Sequence, residues 1–229
     1  FHEAYYRPAT ATMIVSGAFD PARLDALVDQ YFAGIENPDR PVPHLERPVS
    51  PPRTTPRQVM AYAPNVPLPA VALMYPGPDA ADPDNAALDV MQAILSRGDS
   101  SRLYQALVYG SQLAVNASLG VNTMEEAGSI TVNATVAQGK EIGAVEAALD
   151  AELERIRNEP VTAAELAEAR TEILASELRQ RETASGRAFI LGRALVAEHD
   201  PAAPDARLAA VQAVTAADVQ RVARKYLVD

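Results

Sequence analysis

The chain has no cysteine and no tryptophan among its 229 residues. Without thiols there is no disulfide, no thiolate zinc site and no cysteine nucleophile. Positive charge is also short: 20 Lys and Arg stand against 30 Asp and Glu, a net charge of −10. Nucleic-acid binding rests on a basic face, so that class is excluded. Lysine is almost missing. Lys140 and Lys225 are its only occurrences, and this, with abundant alanine, suits a bacterial GC-rich source. No apolar run exceeds about 5–8 residues, far below the roughly 20 of a membrane-spanning helix, so no span is expected. Phe1-His2-Glu3 is neither an initiator Met nor a signal peptide, so the chain reads as part of a longer protein. Periplasm and cytoplasm both suit a Cys-free protein.

What is present supports a packed core. Hydrophobic residues make up 48% of the chain, the usual share for globular domains. At this length the expectation is one large domain, or a domain plus a piece of another. Thr10–Gly17 is rich in β-branched residues and predicts a strand. Asp20 then caps a helix with Pro21 at its first position. Leu24, Leu27, Val28, Tyr31 and Phe32 form one apolar face, ending near Gly34. Pro38, Pro41, Pro43, Pro48, Pro51, Pro52 and Pro56 mark residues 37–56 as an extended linker, because proline lacks an amide donor and fixes φ.

Beyond the linker, Gln58–Tyr62 and Ala70–Tyr75 predict strands. Asp82-Pro83 predicts the start of a helix running to about Ser96, and Ser100–Val108 a short helix. Leu113–Val121 and Ser129–Ala137 alternate as antiparallel strands. Glu141–Arg157 is amphipathic. Thr162 and Glu165 form a capping box, opening a helical tract to about Glu198 with a break near Gly186 or Gly192. A last helix runs from Thr215 to Leu227. This order predicts an α+β two-layer sandwich, a mostly antiparallel sheet with helices packed on one face.

Residue chemistry alone assembles no active site. His2, His44 and His199 are scattered, where a zinc site needs three or more converging ligands, and His2-Glu3 is not followed by a second His at the required spacing. Surface or capping roles suit all three. Glu141, Asp150, Glu152, Glu154, Glu165, Glu168 and Glu172 fall on polar helix faces and read as solvated. No G-x-S-x-G elbow is present. Gly98-Asp99-Ser100-Ser101-Arg102 is not a phosphate loop. It reads first as a capped turn between helices, with ligand binding as the alternative.

Several stretches in order resemble the M16 (pitrilysin-like, mitochondrial-processing-peptidase-like) zinc metallopeptidases, in their C-terminal half. They are Phe1 to Arg7-Pro8 with Met13 to Asp20; Asp84 to Leu88 with Ile94-Leu95, Gly98, Ser100-Ser101-Arg102-Leu103-Tyr104; Val161 to Leu166 with Ala169-Arg170; and Val214 to Val219. Together they cover nearly the whole chain. The resemblance implies a metallopeptidase M16-like fold divided into three parts. Residues 1–36 would be the closing strand and helix of a preceding domain, 37–56 the linker, and 57–229 a non-catalytic C-terminal domain.

The resemblance further implies that zinc sits in the N-terminal domain of the parent protein, on an inverted His-x-x-Glu-His motif that this chain lacks. No catalytic or metal-binding residue is therefore expected here. Gly98, Ser100, Ser101, Arg102 and Tyr104 become structural or substrate-proximal positions. The family often carries an Arg and, seven positions on, a Tyr that assist substrate binding; the matching positions hold Val108 and Val115. The implied partners are a peptide substrate, the N-terminal catalytic domain of the same chain, and a homo- or hetero-dimer with a paralogue that could supply the missing pair. The resemblance also implies a sheet edge open beside the last helix, which strand 10–17 of the same or another copy would fill. The leading expectation is a domain that helps enclose peptide. The alternatives are a proteolytically inactive assembly module of the same fold, or an unrelated acidic α+β binding domain.

Overall fold

The structure is a computed structural model and describes residues 1–43 and 55–228. His44 and most of the proline-rich stretch lie outside the described residues.

The centre is a helix, α3 (Asn85–Ser96), with Leu88, Val90, Met91 and Leu95 fully buried. It is apolar nearly all round, so it can only sit inside. A three-stranded antiparallel sheet lies beside it, in the order β1 (Ala70–Gly77), β3 (Gly128–Val136), β2 (Ala114–Thr123). Ile130, Val132, Ala134 and Val136 alternate inward along β3 and are fully or almost fully buried. The expected α+β sandwich is therefore present. α3 packs on β2, α4 (Ile142–Asn158) on β1 and β3, and α8 (Ala216–Tyr226) on β1. The hairpin end of the sheet needs glycine. A Cβ on Gly77 would stand 2.9 Å from the Ser129 amide nitrogen, and one on Gly128 would collide with the Pro78 carbonyl.

Local signals set most helix starts. The Asp20 carboxylate accepts from the Arg23 amide at 3.1 Å, with Pro21 opening α2 (Pro21–Phe32). Thr162 and Glu165 form the reciprocal capping box of α5 (Ala163–Arg181), and Thr215 with Asp218 that of α8. The break in the long helical tract falls at Thr183, whose hydroxyl accepts from the Gly186 amide at 3.0 Å and starts α6 (Ala184–Glu198). Gly192 stays inside α6. The cap and a glycine together set the break, since a Cβ at Gly186 would collide with the Gln180 carbonyl.

Other expectations are corrected. Asp82 accepts from the Asp84 amide at 2.7 Å, so it closes a turn and α3 starts three residues later. The short helix is shifted and becomes a π-helix at Tyr104–Gly110. A further helix, α7 (Ala203–Ala213), begins with Pro204 in its first turn and was not anticipated. At the N-terminus α1 (His2–Tyr5) is a single turn.

Neither Gln58–Tyr62 nor Thr10–Gly17 is a strand. An extended segment becomes one only by pairing, and prolines 64, 67 and 69 crowd the first. The second begins with a 3₁₀ turn at Pro8–Thr10. Its Ile14 then lies against α6, with Cδ1 3.2 Å from where a Gly192 Cβ would stand. Among the described residues the outer edge of β1, beside α8, pairs with no strand. Strand 10–17 thus does not fill that edge within one chain.

Candidate functional site

The stretch from Gly98 to Tyr104 divides in two. Gly98 adopts φ +73°, a conformation glycine takes without strain. Its carbonyl accepts from the Ser101 hydroxyl at 2.8 Å. Ser101 and Arg102 turn inward and are buried. The Arg102 guanidinium grips the Glu165 carboxylate with two bonds, 2.6 and 3.1 Å. That fork, joined by the Thr162 amide and hydroxyl, holds the Glu165 carboxyl down to about 2 against the opposing push of burial. Arg102 is thereby committed to locking the start of the π-helix onto the cap of α5.

Gly98 and Ser100 face outward and line a groove of about 480 Å³ against α5. The Ser100 hydroxyl donates to Glu168 at 2.6 Å on one wall. Tyr104 is half-buried at the first turn of the π-helix. Val108 is half-buried in the same helix, and Val115 is exposed at an irregularity in the β2 ladder. Glu165 and Glu168 are therefore not simply solvated. Both bridge α5 to the 98–104 stretch.

The other surface able to meet a partner is the sheet. Its helix-free face carries rows set by the ladder register: Ala72, Asn133 and Ser118 in one, Met74, Thr131 and Gly120 in the next. Ala72, Met74, Ser118, Gly120 and Asn133 are exposed. Apart from Met74 these are small or polar groups; among the described residues the outer edge of β1 pairs with no strand, while that of β2 is partly taken by α3, where Ser96 donates to the Leu119 carbonyl and Gln92 accepts from the Val121 amide. An unpaired edge offers main-chain donors and acceptors to an extended peptide.

One residue that local patterns did not single out is Asp84. Its carboxylate accepts from Arg221 at 2.6 Å, Lys225 at 2.7 Å and Tyr226 at 3.1 Å, joining the start of α3 to α8. Burial would raise this carboxyl, but the Lys225, Arg221 and Tyr226 donors outweigh it and leave it below its ordinary value. Its partners are more than 130 residues away, so no local signal reveals it. The Arg170 guanidinium similarly donates to the Val214 carbonyl, tying two of the family-like stretches together.

The histidines stay apart from these surfaces. His2 stacks on Tyr6 at 4.7 Å, and His199 ends α6 in a left-handed conformation, 3.1 Å from Glu125. Among the described residues no three His, Cys, Asp or Glu side chains gather as a metal-binding group, so they do not fit a zinc site. Nor is any described helix long and apolar enough to cross a membrane.

Known proteins share this fold and family. Residues 1–173 match the family described as the peptidase M16 inactive domain. The whole chain is 28% identical to the zinc protease PqqE of Helicobacter pylori, covering 51% of that protein. A crystal structure of a protease from Helicobacter pylori superposes with a TM-score of 0.88 over the whole chain and 55% of its own, at 24% identity, a likeness of fold. The inactive peptidase domain of a protein from Bordetella parapertussis matches at 29% identity and a TM-score of 0.63, over 69% of this chain and 84% of that one. The chain spans about half the length of the Helicobacter pylori protein it matches.

Proposed function

This chain belongs to the peptidase M16 family, to its inactive domain, and from that premise we propose that it is the non-catalytic half of a zinc endopeptidase. It helps enclose and bind a peptide substrate. The observation that carries the reading is the sheet: helices cover one face, and the other exposes small and polar residues around Met74, with the outer edge of β1 paired to no strand among the described residues. A second catalytic-type domain facing it would close a chamber around an extended chain.

The domain division follows. Residues 1–36 close the preceding, N-terminal domain, 37–56 connect, and 57–229 form the inactive domain. In support, α2 buries none of its residues, although Leu27, Tyr31 and Phe32 lie on one apolar face. An amphipathic helix exposing that face is incomplete without a partner. Zinc belongs to the N-terminal domain, and this chain alone cleaves nothing. Gly98 and Ser100 are placed to meet substrate or that domain across the groove, while Ser101, Arg102 and Tyr104 hold the loop's shape. With valine at 108 and 115, a partner subunit of the same family supplies the missing Arg and Tyr functions.

Peptide cleavage by the full-length parent tests this, with and without a zinc chelator and with and without a neighbouring paralogue. Chelator-sensitive cleavage by the parent, absent from this chain alone, is the expected outcome. A parent that associates with its partners but cleaves no peptide under any of these conditions would leave the assembly-module reading instead.

A further inference from the structure

Helices α3, α5, α6 and α7, with Val121 of β2, line a cavity of about 250 Å³ that shares only Arg97 with the groove beside Gly98 and Ser100. Six charged side chains line it, and four of them are Asp89, Arg97, Glu177 and Arg193. A third arginine in its wall, Arg207, is already satisfied by Glu198 at 3.0 Å. The four make no hydrogen bond or ion pair with any described residue, to each other or to Arg207. Burial raises the Asp89 carboxyl, even with Arg207, Arg97 and Arg193 near enough to oppose it. Arg193 is exposed and the other three are half-buried, with no polar atom sealed from solvent, so water meets these charges when no ligand does. Here two acids and two bases stand around one space, near enough to feel one another's charge but joined by no hydrogen bond or ion pair among the described residues.

The rest of the wall mixes polar side chains, Gln92, Ser176 and Gln180, with apolar ones. Ile190, Leu208 and Val121 line it, and Phe189 and Arg193 are exposed on the α6 side, where the cavity can be entered. We propose that this cavity is a binding site for a small zwitterion of the amino-acid or dipeptide class with an apolar side chain. Its ammonium group is held by Asp89 and Glu177, its carboxylate by Arg97 and Arg193, and its side chain lies among Ile190, Leu208 and Phe189. The charge pattern selects this chemistry. A simple anion would leave the acids unmatched, and a simple cation would leave the arginines unmatched. The size agrees, because drug-sized ligands occupy roughly 300–1,000 Å³ and this space is smaller. The site does not depend on the peptidase reading, and it needs neither zinc nor a second domain.

Titration calorimetry on the 229-residue chain tests it, using L-leucine and alanyl-leucine beside their N-acetyl and C-terminal amide forms. The zwitterions are expected to bind saturably at one site. Each blocked form should bind at least about tenfold more weakly, since each loses a charge-assisted set of hydrogen bonds. Asp89→Asn should weaken the zwitterions by a similar factor while leaving the N-acetyl forms unaffected. Arg193→Gln, at an exposed position, should weaken them too while sparing the amides. Absence of saturable binding by both zwitterions, equal binding of blocked and free forms, or unchanged affinity in Arg193→Gln would each overturn the proposal.

Discussion

Two parts of this molecule are built by different rules. Among the described residues every buried hydrophobic residue lies between Ala80 and Leu227. In residues 1–43 none is buried, although the segment holds Met13, Val15, Phe19, Leu27, Tyr31, Phe32 and Ile35. Composition does not separate the two parts, since both are apolar and both contain a well-capped amphipathic helix. What differs is whether the apolar face finds a partner in the same chain. The first segment carries the pattern of a folded element but lacks the core that would use it. On the proposed division, this is a piece of the preceding domain.

This contrast can be broken most forcefully at α3. Replacing Leu88 with Ala empties a fully buried site and should cost about 2–5 kcal/mol in urea unfolding, the range for large-to-small core changes. A loss below about 1 kcal/mol would mean that the second region's core is not the one described. Acid unfolding sharpens the picture at the 98–104 stretch. Glu165 has its carboxyl lowered to about 2 from an ordinary 4.5. Its contribution to stability is therefore full above about 4.5 and is lost as pH falls toward 2. Because the group is partly solvent-exposed, we expect about 1–3 kcal/mol of that dependence to vanish in Glu165→Gln.

At the joint between α3 and α8, Asp84→Asn should destabilise by about 1–2 kcal/mol, since its partners are half exposed and recover water. Removing the Thr183 cap in Thr183→Ala should cost about 1 kcal/mol and fray the start of α6, read by hydrogen exchange there. The smallest effect belongs to the first region. Leu27→Ala in this chain alone should change stability by less than about 0.5 kcal/mol, as surface changes do.

The same contrast explains what the sequence made legible. Helix starts were readable where a side chain binds its own backbone, as at Asp20, Thr162 and Thr215, because the whole signal lies within four residues. Three strands, at 70–77, 114–123 and 128–136, were readable from alternation and from each having a neighbour to pair with. Thr10–Gly17 and Gln58–Tyr62 show that alternation without a partner is not a strand. At the candidate site, local pattern and family resemblance together marked Gly98, Ser100, Ser101 and Arg102. They did not show that Arg102 is spent on Glu165, 63 residues away. Asp84 was invisible as a hub for the same reason. Long-range ion pairs leave no period and no spacing in the chain.

The central claim is that α2 belongs to a neighbouring domain while α3 anchors this one. Amide hydrogen exchange of residues 21–36 and 85–96, in this chain alone and in the full-length parent, tests it directly. The account predicts fast exchange of α2 in the isolated chain and protection increased by at least about 100-fold in the parent, a difference of roughly 3 kcal/mol. Protection of α3 should be high in both. Equal exchange of α2 in the two proteins would contradict it.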